Sequence, residues 1–285
     1  MRIARFQYQG NTHTGVIGGP DATDITDLGN VDSIALLAGG LDAIRGALTS
    51  ATDTFPLSAV QLRAPIPHPP KFLAIGLNYA DHCAEAGMAA PDFPVFFNKQ
   101  TTCVIGPDDP IHIPRASNLV DYECELGIVI GRRARHVPAD RALEVIAGYT
   151  VVNDVTVRDW QLRAPTMTIG KSFDTHGPTG PWVVTADEIP DPQAPGLRTW
   201  VNGELMQDAS TAGMIFSCAQ QIETLSTAFT LEPGDIIATG TPAGVGMLRQ
   251  PSLWLTPGDT VAVEVEGIGR LENPVIAEPA DTAVM

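Results

Sequence analysis

Positive charge is scarce in this sequence: 17 Lys and Arg stand against 33 Asp and Glu in 285 residues, a formal charge of −16. That balance excludes a nucleic-acid partner, whose phosphate backbone it repels. A small anion is not excluded, because it needs only a local positive site. Aromatic residues are few, at 6%, which leaves little stacking surface for a sugar. No stretch approaches the roughly 18 uncharged apolar residues of a membrane span. The start, Met1-Arg2-Ile3-Ala4-Arg5-Phe6-Gln7-Tyr8-Gln9, has neither a long apolar run nor a cleavage site, so no membrane association and no signal peptide are expected. The four cysteines (Cys83, Cys103, Cys124, Cys218) form no CxxC pair. They read as small buried apolar residues of a reduced cytoplasmic protein.

Glycine and proline are plentiful, at 27 and 24 residues, and without a G-X-Y period they read as turns between short strands. Hydrophobic residues reach 44%, enough for a buried core. Residues 2–8 and 14–17 flank Gln9-Gly10-Asn11 as a hairpin would. Residues 33–48 have helical spacing, weakened at Gly39-Gly40. Four prolines within 65–70 exclude a helix or central strand there. The chain therefore divides into a small N-terminal α+β domain (1–64), a Pro-rich linker (65–70) and a catalytic β-rich domain (71–285). In the last, strands are expected at 71–75, 94–97, 124–130, 148–153, 181–185, 198–202, 235–238 and 260–266. Helices are expected at 79–86, with Asn78 as cap and Gly87 as stop, at 139–147 and at 214–226. Glu232-Pro-Gly-Asp235 and Thr256-Pro-Gly-Asp259 read as turns that set up strands. Strands and helices do not alternate regularly, so the pattern predicts an α+β, β-rich roll or barrel rather than a doubly wound sheet.

Five features carry chemistry. Glu123 and Glu125 stand two apart at the start of an apolar run, so a strand projects both from one face. Alone, such a pair also fits a solvated strand start. Asp154 ends another apolar run, and three carboxylates from two strand ends make an all-oxygen site suited to Mg²⁺ or Mn²⁺ rather than zinc. His82 and Glu85, three apart in a short helix, share a face. A carboxylate beside an imidazole makes a general base, although the same spacing fits an exposed helix surface. Lys171 stands out in a chain poor in cations and can balance enolate charge beside a metal; a surface lysine paired with Asp174 is the alternative. Thr239-Gly240-Thr241-Pro242-Ala243-Gly244-Val245-Gly246 lacks the P-loop lysine. It can be a simple turn, or a loop whose amides and threonine hydroxyl hold an anion.

Taken together, Leu77-Asn78-Tyr79-Ala80-Asp81-His82, Phe96-Phe97-Asn98-Lys99, Tyr122-Glu123-Cys124-Glu125-Leu126, Asn153–Asp159, Gly170-Lys171-Ser172-Phe173-Asp174, Val201-Asn202-Gly203-Glu204 and Gly240–Gly246 resemble the fumarylacetoacetate hydrolase family from about Lys71 to about Val275. The resemblance implies a mixed β-sandwich roll with a small variable N-terminal domain, usually dimeric. It implies a Mg²⁺- or Mn²⁺-dependent enzyme acting on small anionic 2-oxo acids or 1,3-dicarbonyl compounds. By the same resemblance Glu123, Glu125 and Asp154 are metal ligands, His82 and Glu85 a catalytic dyad on a mobile helix, and Lys171 a contact to the substrate oxygen. Arg158, Gln161 and Thr241 fall near substrate contacts. Hydrolysis of a carbon–carbon bond in an acylpyruvate-like substrate is the favoured expectation, with decarboxylation and isomerisation as alternatives at the same site. A metal-stabilised binding protein without catalysis is the alternative of another class, and a glycosidase built on Glu123 and Glu125 ranks low because both carboxylates start on one strand.

Overall fold

The structure is a computed structural model that describes residues 1–18 and 22–280; residues 281–285, the end of the expected 71–285 segment, lie outside the described residues. The N-terminal hairpin forms as expected. β1 (Arg2–Tyr8) pairs antiparallel with β2 (Asn11–Gly18) from Arg2↔Ile17 to Tyr8↔Asn11 and turns on Gln9-Gly10. The helical stretch is split at the Gly39-Gly40 pair into α1 (Ser33–Ala38) and α2 (Gly40–Ser50), and Asp32 caps α1 by accepting from the Ile34 and Ala35 amides. β3 (Asp24–Asp27), β4 (Thr54–Pro56) and β5 (Gln61–Arg63) complete this part. Residues 64–71 contain neither helix nor strand, and Ile66 within them is fully buried.

The remainder runs β6 (Phe72–Gly76), α3 (Ala80–Glu85), β7 (Val95–Lys99), β8 (Val104–Ile105), β9 (Ile111–Ile113), β10 (Val120–Asp121), β11 (Cys124–Ile130), β12 (Ile146–Asn153), β13 (Thr156–Val157), α4 (Arg158–Gln161), β14 (Gly177–Thr185), β15 (Gly196–Val201), β16 (Glu204–Ser210), α5 (Cys218–Ala228), β17 (Ile236–Ala238), β18 (Thr260–Val265) and β19 (Gly269–Ala277). The fold is β-rich, with mixed sheets and few helices, as the pattern predicts. One twelve-stranded sheet follows the path β4-β3-β2-β1-β14-β12-β11-β17-β6-β7, with β5 on β1 and β8 on β14. A second sheet has the order β16-β15-β18-β19-β9, and β10 pairs with β13. The N-terminal strands continue the large sheet, because β1 pairs with β14 at Arg2↔Val184.

The middle of the large sheet is covered on both faces, which explains its unbroken apolar strands. Leu126, Ile128 and Ile130 of β11 join Val261, Val263 and Leu271 of the second sheet in the main core. Val129, on the opposite face, packs in a second cluster with Val152, Ile236 and the α1–α2 residues Leu36 and Ile44. Both Pro-Gly-Asp turns form. Gly234 and Gly258 have φ of +85° and +103°, a backbone that glycine adopts without strain, and the Asp235 and Asp259 carboxylates accept from the Glu232 and Thr256 amides at 2.8 and 2.7 Å.

Two local expectations are corrected. Residues 139–147 are not an α-helix: 3₁₀ turns span Ala139–Val145 and Ile146 already opens β12. A short apolar run does not separate the two periods, and the β-branched residues that follow extend the strand backward. Asn78 is not the cap of α3, whose N-cap is Tyr79 with no side-chain bond. The buried Asn78 amide instead donates to the Phe216 and Thr239 carbonyls and accepts from the Phe216 amide. All four cysteines are free and buried, and no described helix is long and apolar enough to cross a membrane.

Candidate active site

Strand register assembles the carboxylates. In the antiparallel β11–β12 pair, Cys124 faces Asn153, so the residue just before β11, Glu123, meets the residue just after β12, Asp154. The Asp154 amide donates to the Glu123 carbonyl at 2.9 Å, and the Asn153 side chain accepts from the Glu123 amide at 3.1 Å. Glu125 projects from the same strand face two residues on. Carboxylate oxygens of all three lie within 4.8 Å of one another, and all three residues are buried. The exposed-strand alternative for the Glu pair does not hold.

Cations surround this cluster. Lys171 Nζ donates to Glu123 Oε2 and Asp154 Oδ2, both at 2.6 Å; it is 2% exposed and does not pair with Asp174 as a surface lysine would. Burial works against its ammonium, but Asp154 and Glu123 outweigh that and hold its pKa above the ordinary lysine value. The Arg158 guanidinium pairs with Asp121 Oδ2 at 2.8 Å and Glu123 Oε1 at 2.7 Å, and its Nη1 donates to Gln161 Oε1 at 3.0 Å. Burial pushes the Glu123 carboxyl up, yet Lys171 and Arg158 together bring it down to about 2.

The loop after β17 closes one side. Because β17 pairs with β11, its end passes over Glu125. The Gly240 amide donates to Glu125 Oε2 at 2.8 Å, the Gly246 amide to Asp121 Oδ1 at 2.7 Å, and the Gly244 amide to both Glu85 oxygens at 3.0 and 3.1 Å. The loop amides do hold anions, namely the chain's own carboxylates. Gly244 has φ +101°, and a Cβ there would stand 2.4 Å from the Met206 carbonyl. The Thr241 hydroxyl is committed to the Cys124 carbonyl at 2.9 Å and to the Gln207 amide at 2.9 Å.

β6 lies parallel to β17, so its end delivers α3 to the same edge. Gly87 and Met88 close α3 by donating to the Ala84 and Cys83 carbonyls, a Schellman-type stop. His82 Nδ1 lies 3.3 Å from Glu85 Oε2; the imidazole is 12% exposed and lines a cavity, whereas Glu85 stands at the surface beside it. His82, Glu123, Glu125, Arg158, Gln161, Lys171 and Thr241 all line one cavity of about 330 Å³. Glu85 and Asp154 do not line it, and each is bonded to a residue that does, His82 and Lys171.

Three buried cations, Lys99, Lys171 and Arg158, pair with three buried carboxylates, Asp121, Glu123 and Asp154, and the fourth buried carboxylate, Glu125, stands beside them. Glu125 has no ion-pair partner within 4.0 Å among the described residues; burial and its neighbours Asp154 and Glu123 push its carboxyl well above the usual range. An all-oxygen donor set short of positive charge fits a hard divalent cation, with Glu123, Glu125 and Asp154 as the residues that would hold it. Counted with every carboxyl ionised, four carboxylates against three cations leave −1, and a divalent ion would turn that to +1, which suits an anionic ligand.

Two contributors have no role assigned to them from the sequence. Lys99 Nζ donates to Asp154 Oδ1 at 2.6 Å and also to the Lys171 carbonyl, with its side chain fully buried. The signal was the alternation in β7: Phe97 and Lys99 are buried while Phe96 and Asn98 are exposed. Asp121 ties Arg158 to the Gly246 and Met247 amides; a lone aspartate before an apolar run gives no comparable signal.

Residues 71–276 match the family described as Fumarylacetoacetate (FAA) hydrolase C-terminal, and residues 1–65 match the one described as Rv2993c-like, N-terminal. A mitochondrial oxaloacetate tautomerase of Xenopus laevis is 42% identical over 238 residues, covering 83% of this chain and 75% of that protein. The crystal structure of a 5-carboxymethyl-2-hydroxymuconate delta-isomerase from Mycobacterium smegmatis is 38% identical, with a TM-score of 0.81 over 98% of this chain and 100% of that one. A maleylpyruvate hydrolase from Sphingobium sp. SYK-6, in complex with manganese(II) and pyruvate, is 32% identical with a TM-score of 0.81, over 98% and 100% of the two chains.

Proposed function

The chain belongs to the fumarylacetoacetate hydrolase family, and on that premise we propose that it hydrolyses a carbon–carbon bond in an acylpyruvate-type 2-oxo acid. The observation that carries this reading is the His82–Glu85 pair beside a cavity that also holds Glu123, Glu125 and Lys171. Water activation needs a base, and this cavity has one.

When bound by Glu123, Glu125 and Asp154, Mg²⁺ or Mn²⁺ supplies Lewis-acid polarisation of the 2-oxo acid oxygens. The remaining chemistry belongs to the chain. Glu85 accepts from His82 Nδ1–H and leaves Nε2 free to take a proton from water. The hydroxide so formed adds to the distal carbonyl. The bond between that carbon and the methylene breaks, and its electron pair passes to the pyruvate enolate. Lys171 donates to the enolate oxygen, where negative charge appears. Protonation of the methylene by the imidazolium gives pyruvate and restores the base, and the other product leaves as a carboxylic acid that gives its proton to water. Arg158 and Gln161 orient the substrate from the cavity wall, and Thr241, whose hydroxyl proton is held by the Cys124 carbonyl, contributes there as an acceptor and by its shape. The manganese- and pyruvate-bound hydrolase at 32% identity supports both the metal and the 2-oxo acid.

A second reading keeps the same enolate and omits the water: His82 moves a proton between carbon and oxygen, as in a tautomerase or isomerase. The 42% identity with an oxaloacetate tautomerase and 38% with a muconate-type isomerase favour it. Incubation of acylpyruvates, oxaloacetate and hydroxymuconate-type dienes with Mg²⁺ or Mn²⁺ separates the readings. Pyruvate release from acylpyruvates supports hydrolysis, and carbon dioxide from oxaloacetate marks decarboxylation. Solvent-deuterium exchange without cleavage replaces hydrolysis by tautomerisation, and no turnover of any of them leaves a binding protein. The proposal includes a homodimeric assembly, which light scattering checks.

A further inference from the structure

The cavity is chemically divided. Its polar lining is Glu123, Glu125, Arg158, Gln161, Lys171 and Thr241, with His82 from α3. The rest of the wall, including Leu77, Met88, Leu162, Met167, Met247 and Leu248, is apolar. Met88 and Leu162 are 53% and 73% exposed, so they mark the solvent-facing part of that wall, on two segments, the end of α3 and the turn after α4. Large apolar side chains left exposed where a cavity meets solvent mark a surface that an apolar group covers.

We propose that the outer half of this cavity holds an uncharged, apolar chain at the distal end of the 2-oxo acid and selects against a second carboxylate there. The inference rests on the 2-oxo acid reading of the inner end and adds the class of distal substituent. The basic residues that line the cavity are His82, Arg158 and Lys171. Lys171 is bonded to Glu123 and Asp154, and Arg158 to Asp121, Glu123 and Gln161. His82 is joined to Glu85. All three serve the inner end. Arg163, next to Leu162 in sequence, does not line the cavity; its guanidinium stacks 3.9 Å over the Trp160 ring and pairs with Asp159 at 3.4 Å. A distal carboxylate would therefore lose water against methionine and leucine side chains without gaining a cation, which is costly. The chain's formal charge of −16 opposes a second negative charge as well. A distal alkyl group gains instead from burial.

The test is calorimetric binding to the Mn²⁺-loaded protein of oxalate, 2-oxohexanoate and 2-oxohexanedioate. The last two have the same six carbons and differ only in a terminal methyl or carboxylate. The expected result is that 2-oxohexanoate binds roughly tenfold or more tighter than the dioate. Leu162→Arg and Met88→Arg, both at exposed positions, should narrow or reverse that ratio. Equal or tighter binding of the dioate overturns the inference, as does an unchanged ratio in both variants. Binding of oxalate but of neither longer acid overturns it too, because the outer half then rejects any tail. Failure of oxalate itself marks a failure of the inner-end reading, and the inference falls with it.

Discussion

Glu85 accepts the Gly244 amide with both carboxylate oxygens, at 3.0 and 3.1 Å, while its Oε2 lies 3.3 Å from His82 Nδ1. One side chain therefore orients the imidazole and fastens α3 to the loop after β17. The two roles separate by substitution. Glu85→Gln keeps an oxygen for the Gly244 amide and loses the negative charge behind the ring. It should lower kcat by roughly ten- to a hundredfold with KM little changed. Glu85→Ala also releases the helix and should raise KM. Steady-state kinetics that give both variants the same kcat and KM would contradict this division.

His82→Ala removes the base and leaves the carboxylate cluster intact. A fall in kcat on the order of 10²–10⁴ is expected, with oxalate affinity in the presence of Mn²⁺ almost unchanged, because His82 is not one of the oxygen donors. Near-full hydrolysis by this variant would show that the base assignment is wrong.

Metal dependence is a separate outcome. EDTA should abolish turnover, and Mg²⁺ or Mn²⁺ should restore it. Glu123→Gln should weaken Mn²⁺ binding, followed by the paramagnetic resonance of the free ion, and oxalate binding should fall with it. Turnover by a verified metal-free preparation would exclude the assignment.

Much of this site was legible in the sequence because its residues sit at ends of apolar runs. Glu123 and Asp154 flank β11 and β12, Glu125 is the second residue of β11, and both strands read plainly as apolar runs; their antiparallel pairing comes from the structure. Pairing across distant segments was not legible. Nothing local says that Asn78 braces the Phe216 backbone instead of capping α3, or that Asp121 gathers Arg158 and two loop amides. Those contacts depend on β17 lying beside both β11 and β6. Lys99 is the intermediate case: alternation places it on the buried face of β7, but its partner Asp154 lies 55 residues away.

Lys99 supplies a stability test. Its ammonium bridges Asp154 and the Lys171 carbonyl in a fully buried setting. Lys99→Met keeps the apolar stem and leaves Asp154 with Lys171 as its one remaining cation within 4.0 Å among the described residues. Removing one partner of a buried pair typically costs about 3–5 kcal/mol. Mn²⁺ should recover part of the loss, since it binds the native state and returns positive charge to the cluster. Urea melts with and without Mn²⁺ measure both effects; a variant as stable as the parent without metal would argue that Lys99 is dispensable.

His176 predicts how stability depends on pH, away from the carboxylate cluster. The ring is fully buried and its Nε2 lies 2.8 Å from the His112 carbonyl, which fixes Nε2 as the protonated nitrogen. Nδ1 has no hydrogen-bond partner among the described residues, so a second proton would be buried without an acceptor. Burial accordingly pushes the pKa down from 6.5 to about 3, and the charge of Lys99 adds to the shift. In the unfolded chain the ring protonates near its ordinary value. Below that value the unfolded state binds a proton that the native state refuses, so stability falls as pH drops and stops falling on this account once the native ring titrates. The loss is about 1.4 kcal/mol per pH unit, or on the order of 2 kcal/mol between pH 7 and pH 5. His176→Leu cannot bind that proton in either state. Other groups titrate alike in both proteins, so the difference in slope isolates the histidine. Urea unfolding at pH 7 and pH 5 should show the parent losing about 2 kcal/mol more than the variant, whatever the variant's absolute stability. Parallel losses would mean that the native ring accepts a proton in the acid range, against the geometry around Nδ1.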